Sequence, residues 1–191
     1  MLGTIAKAFG RWGDDTATIA RRIAHHLAPE EEVLAAVYVR RPGTAGASLE
    51  AGTRGAISSA AGADGGVTSV RAARTDDPAF LRWIRQAESF GLEAQVARRA
   101  IKLIVAVTST RLLLLRQAYA SGRVRELIAA WALSDIEKIA VPRGSASLTI
   151  YRGGSELRLE LPNAHRFLAP VYRDLPNVVK KAQAAAQGDQ D

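Results

Sequence analysis

IKLIVAVTSTRLLLLR, residues 101–116, decides the fold. Two apolar runs, Ile101–Val107 and Leu112–Leu115, flank a short polar break, Thr108-Ser109-Thr110-Arg111. Each run is strand-length and rich in branched side chains, which suit a pleated backbone. Neither run alternates between apolar and polar positions. The reading is therefore a central β-hairpin whose two strands are covered on both faces.

Strands continue on either side of it. Upstream, 33–40 carries the β-branched and aromatic content of VLAAVYVR. Downstream, 127–133 holds Trp131, and IEKIAV (136–141) alternates around Glu137 and Lys138. Leu148–Tyr151 and Leu157–Leu161 are joined by Arg152-Gly153-Gly154-Ser155, a hairpin signal, because paired glycines adopt the positive φ that tight hairpin turns demand. In the last arm Leu157, Leu159 and Leu161 face one way while Glu156, Arg158 and Glu160 face the other. Asn163 opens a helical pattern with Phe167, Leu168, Val171, Tyr172 and Leu175. Pro170 inside it implies a kink or a later start, and Pro176 a restart through NVVKKAQAAAQ. The glutamates at 30–32 read as a solvated strand start. Neighbouring residues of an extended chain point to opposite faces, so the three cannot converge on one ion.

Two helical segments lie outside this β pattern. Residues 1–28 are amphipathic, with Leu2, Ile5, Phe9, Trp12, Ile19, Ile23 and Leu27 mostly three or four apart. That stripe, with Phe9, Trp12, Ile19 and Ile23 at its centre, suits a membrane surface or a partner, a second copy included. It equally suits packing on its own domain. Residues 77–90 form the clearest helix: Asp77 can cap, Pro78 fits the first position, Gly91 fits the exit, and Phe80, Trp83, Ile84 and Ala87 share a stripe. Between 42 and 66, 19 of 25 residues are Gly, Ala, Ser or Thr. That composition reads as a loop, or as a small-residue helix near 48–61; it contains no phosphate-loop motif.

The cues LAPEEEVLAAV (27–37), VAVTSTRLLLL (105–115), WALSDIEKIAV (131–141) and SLTIYRGGSELRLELP (147–162) resemble the bacterial pleckstrin-homology-like (PH-like) domains. They match that family's first strand, strand-turn-strand hairpin, approach to the fifth strand and final hairpin. The resemblance covers roughly 30–41 and 100–175. It implies an α+β fold, mainly β: an antiparallel, partly open barrel or sandwich of about seven strands with a C-terminal capping helix, plugged by Phe167, Val171 and Leu175. To this the chain adds an N-terminal amphipathic helix (1–28) and a helical insert (41–100) between strands 1 and 2. The domain then spans 29–176, followed by a helical tail at 177–191. Such domains bind lipids, peptides or protein partners. The compact basic loop that receives phosphoinositides in eukaryotic relatives is replaced here by the insert.

The charge is +7, with 26 Lys and Arg against 19 Asp and Glu. Such a balance favours anionic partners: acidic protein, anionic lipid or nucleic acid. From Ala94 to Arg125 no acid occurs, while Arg98, Arg99, Lys102, Arg111, Arg116, Arg123 and Arg125 do. These residues form either one basic rim aimed at an anionic partner or separate solvated strand ends. There is no cysteine, which removes thiol chemistry and disulfides. No apolar run reaches the length of a membrane span and no secretory signal is evident, so the expected location is cytoplasmic, or peripheral at the inner face of the membrane. His25 and His26 are adjacent and diverge on a helix; His165 stands alone. Asp135 beside Ser134 reads as a turn device. No nucleophile–base pair or metal-ligand spacing is present in the sequence, so no catalytic residue, cofactor or metal is expected. The expected function is a non-catalytic module that docks on a protein or an anionic membrane surface. The alternative is a basic nucleic-acid-binding protein, disfavoured by an aromatic content of 6% and the lack of an RNA-binding aromatic motif.

Overall fold

The computed structural model describes residues 16–43, 78–118, 123–142, 145, 147–161 and 170–188. In chain order its elements are α1 (Thr16–Ile23), β1 (Val33–Arg40), α2 (Pro78–Ser89), α3 (Ala94–Arg99), β2 (Lys102–Thr108), β3 (Arg111–Gln117), β4 (Val124–Ala132), β5 (Ile136–Ala140), β6 (Ser147–Arg152), β7 (Ser155–Glu160) and α4 (Pro170–Gly188). The seven strands form one antiparallel sheet in the order β4-β3-β2-β1-β7-β6-β5. The sheet is not closed. Its two halves meet at a single bridge, Arg40 opposite Glu160. This is the α+β, mainly antiparallel architecture expected from the strand pattern.

The central hairpin is β2–β3, and the missing alternation has the expected cause. Leu103, Val105 and Val107 of β2 and Leu112 and Leu114 of β3 face one core. Ile104, Ala106, Leu113 and Leu115 face another. The larger core is closed by α2, through Phe80, Trp83, Ile84 and Ala87, and by α4, through Val171, Tyr172, Leu175, Val179 and Ala182. So the plug is made by two helices; Val171 and Leu175 play the expected part, and Phe167 lies outside the described residues. The smaller core is closed by α1, whose Ile19 and Ile23 are fully buried against Ala36, Ile104 and Leu113.

Local chemistry explains most boundaries. α2 ends in a Schellman motif: Leu92 N–H donates to Ala87 C=O at 2.8 Å, and Gly91 N–H to Glu88 C=O at 3.0 Å. Gly91 sits at φ +86°, where a side chain would be strained. The β6–β7 loop is Gly153-Gly154, at φ +55° and +72°, flanked by the pair Arg152–Ser155, as a primed hairpin turn requires.

Four expectations are corrected. The C-terminal helix, Pro170–Gly188, runs through Pro176 without the expected restart. The boundary expected at 176 therefore falls inside one helix. An interior proline costs a helix about 3 kcal/mol, and burial of Leu175 and Val179 on either side outweighs it. β4 begins at Val124 rather than 127. The short helix α3 was not anticipated. Glu31 is not solvated: its side chain is 1% exposed. The loop or helix expected across 44–66 lies outside the described residues. Among the described residues, no helix is long and apolar enough to cross a membrane.

Candidate functional site

The sequence marked seven cations, and the structure brings four of them together. Arg99 from the last turn of α3, Lys102 at the start of β2, Arg116 near the end of β3 and Arg125 at the start of β4 line one open cleft of about 350 Å³. Ile101, Gln117 and Ala118 complete its described lining, which holds no carboxylate. Strand geometry makes this convergence. In an antiparallel meander, the start of β2, the end of β3 and the start of β4 share one end of the sheet. A β-bulge adds to it: Arg116 pairs with Glu126 and Gln117 with Val124, leaving Arg125 as the extra residue. A bulge re-aims the side chain it carries, and this one turns Arg125 into the cleft.

The charges lining the described cleft are all positive. Arg40 lies directly opposite Lys102 across β1–β2, and Glu160 lies opposite Arg40 on its other side. Burial, with Arg40 adding to it, holds the Lys102 ammonium below the usual lysine range. Arg116 donates to Glu126, its cross-strand partner, while its Nε is buried with no hydrogen-bond partner. The guanidinium is therefore held in place with one donor still unsatisfied.

Arg98 and Arg123 are exposed but do not line the cleft. Arg98 contributes its carbonyl, which accepts from Arg41 at 2.9 Å. The Arg123 carbonyl accepts from Ala118 N–H at 2.8 Å and so closes the neck of the β3–β4 connection.

Arg111 sits at the far end of β3, away from the cleft. It makes a bidentate pair with Glu31: Nε to Oε1 at 2.8 Å and a terminal nitrogen to Oε2 at 2.7 Å. The same nitrogen reaches the His26 carbonyl at 2.9 Å. Thr108 Oγ1 donates to Glu31 at 2.6 Å and accepts from the Arg111 N–H at 3.0 Å. The Arg111 guanidinium and these hydrogen bonds hold the Glu31 carboxyl at about 2, well below its ordinary 4.5. Arg111 is thus an internal clamp rather than part of a basic rim.

The N-terminal residues divide similarly. Ile19 and Ile23 belong to the domain's own core rather than to a partner's surface; Phe9 and Trp12 lie outside the described residues. His25 and His26 occupy a single 3₁₀ turn (Ala24–His26), with ring centroids 4.0 Å apart and the rings tilted by 43°. Ser134 and Asp135 lie in a 3₁₀ corner, as a turn device should.

No family model matches the chain, and no curated protein matches it.

Sequence reasoning did not place Arg40 beside Lys102. The two lie far apart in the chain and meet only through strand register, so no sequence periodicity could have paired them. Arg125 carried a signal, as a cation in an acid-free run. Its aim depends on a bulge that the sequence does not mark.

Proposed function

We propose that this protein is a non-catalytic, PH-like binding module that receives the anionic groups of a protein partner or a membrane surface in the cleft between α3 and the ends of β2, β3 and β4. One observation carries the reading. Four cations from four separate elements converge on a cleft without a carboxylate in its described lining. Cations that merely solvate strand ends have no reason to share a concavity, and a shared concavity focuses their field. The nucleic-acid alternative is less well supported: among the described residues, Ile101 and Ala118 share the cleft walls with the cations and no aromatic ring offers a stacking platform for single-stranded bases.

The test uses the full chain and two anionic probes, phosphatidylserine vesicles and poly-glutamate, at low and high salt. At least one probe binds, and binding weakens as salt rises. The double variant Arg99→Glu/Arg125→Glu loses about thirtyfold or more, since each cation near an anionic surface contributes about 1 kcal/mol. Failure of both probes at low salt, or an unaffected double variant, overturns the proposal.

A further inference from the structure

The cleft lies at the start of β4, and β4 is an edge of the sheet. Among the described residues, β3 is its strand partner and no strand pairs with its other side. An unpaired edge offers a row of backbone donors and acceptors, and proteins usually blunt it with charge, proline or bulges. β4 does this at one end. Its charges, Arg125 and Glu126, and its two bulges, at Arg125 and Ile128, all lie in the first five residues. The rest, Ala129–Ala132, is regular, uncharged and free of proline. Trp131 turns inward and is buried, edge-on to Phe90 at 5.0 Å. Its neighbours are alanines, with Ala130 and Ala132 exposed, so bulky side chains on an added strand meet no obstruction from them.

We propose that the outer edge of Ala129–Ala132 and the basic cleft together take an extended segment of a protein partner, running antiparallel to β4 and ending in acidic residues. The direction follows from geometry. A strand antiparallel to β4 leads its C-terminal end towards Val124, and so into the cleft. Antiparallel pairing is the commoner arrangement by two- to three-fold. From Ala129 to Arg125 is about 13 Å at about 3.3 Å per residue, so acids placed a few residues beyond the paired stretch reach Arg125, Arg116 and Lys102. Backbone pairing supplies affinity, and charge supplies register and direction. The inference rests on the proposed anion-binding role of the cleft and narrows it to a peptide.

The experiment compares two synthetic peptides of identical composition, alternating Thr and Val with a run of aspartates. One carries the aspartates at its free C-terminus, the other at its N-terminus. Fluorescence anisotropy gives affinity, and amide hydrogen exchange reports protection on β4. The C-terminally acidic peptide binds about tenfold or more tighter, a difference of about 1.4 kcal/mol. It protects amides within Ala129–Ala132, and Arg125→Glu abolishes the preference. Ala129→Pro and Ala130→Pro are paired controls. Successive N–H groups point to opposite edges, so one of the two keeps the pairing to β3; that variant retains its melting temperature and loses peptide binding. Equal affinity for the two peptides, or no new protection on β4, overturns the inference. If vesicles or poly-glutamate still bind through Arg99 and Arg125, the cleft's anion-binding role stands and the peptide does not. If nothing anionic binds, both fall.

Discussion

Glu31 and Arg111 are 80 residues apart in the chain and are joined by a bidentate pair. The Thr108 hydroxyl and the Ala28 N–H also donate to Glu31, the latter to Oε2 at 2.8 Å. Breaking one partner of a pair this well covered strands the other, so Glu31→Gln is expected to cost on the order of 2–4 kcal/mol, read by urea unfolding at neutral pH. The pH dependence has a definite sign. The folded-state carboxyl titrates at about 2 against an ordinary 4.5. Its contribution is therefore fully present above about 4.5 and is lost as pH falls towards 2; Glu31→Gln flattens the stability curve in that window. His26 acts higher up. Burial, and then neighbouring His25, hold it below the ordinary 6.5, so its folded form resists protonation and stability falls as pH drops below about 6.5. His26→Asn removes that part of the slope. Little of this was legible in the sequence. The TSTR break read correctly as a turn and the EEE run as a strand start, but nothing local links them. A pair between distant turns is set by strand register alone.

At the scale of elements, α1 separates the two readings of the amphipathic N-terminus. An apolar stripe says that a helix face is covered, not by what. The structure answers for Ile19 and Ile23, which seal the outer face of β1–β3. Replacing either by Ala should cost about 2–4 kcal/mol through lost burial and the cavity left behind, measured as a fall in the urea midpoint. A face reserved for a membrane or a partner would show almost no loss. The β6–β7 turn makes a smaller prediction. No atom lies within 4 Å of a Cβ built at Gly153 or Gly154, so the cost of Gly154→Ala is conformational, about 1–2 kcal/mol from the positive φ. This hairpin and α2 were readable because turn glycines, caps and periodicity agree there. α3 escaped because six residues of AQVARR are too short to show a period. The unbroken α4 escaped because Pro176 is outweighed by burial that only tertiary structure supplies.

For the whole molecule, the β1–β3 part of an open sheet is packed on both faces, and the charged groups of these strands lie at their ends. One end holds the Glu31–Arg111 clamp, the other the basic cleft. The sequence announced the cations without dividing them between these ends, because the division depends on which strand termini meet. The central claim is that the cleft end is the binding end. Nuclear magnetic resonance titration of the labelled full chain with poly-glutamate tests it most directly. The account predicts amide shift changes concentrated at Arg99–Lys102, Arg116–Ala118 and Arg125 that shrink as salt is raised. Changes centred on α4 and β5, or none at low salt, would contradict it.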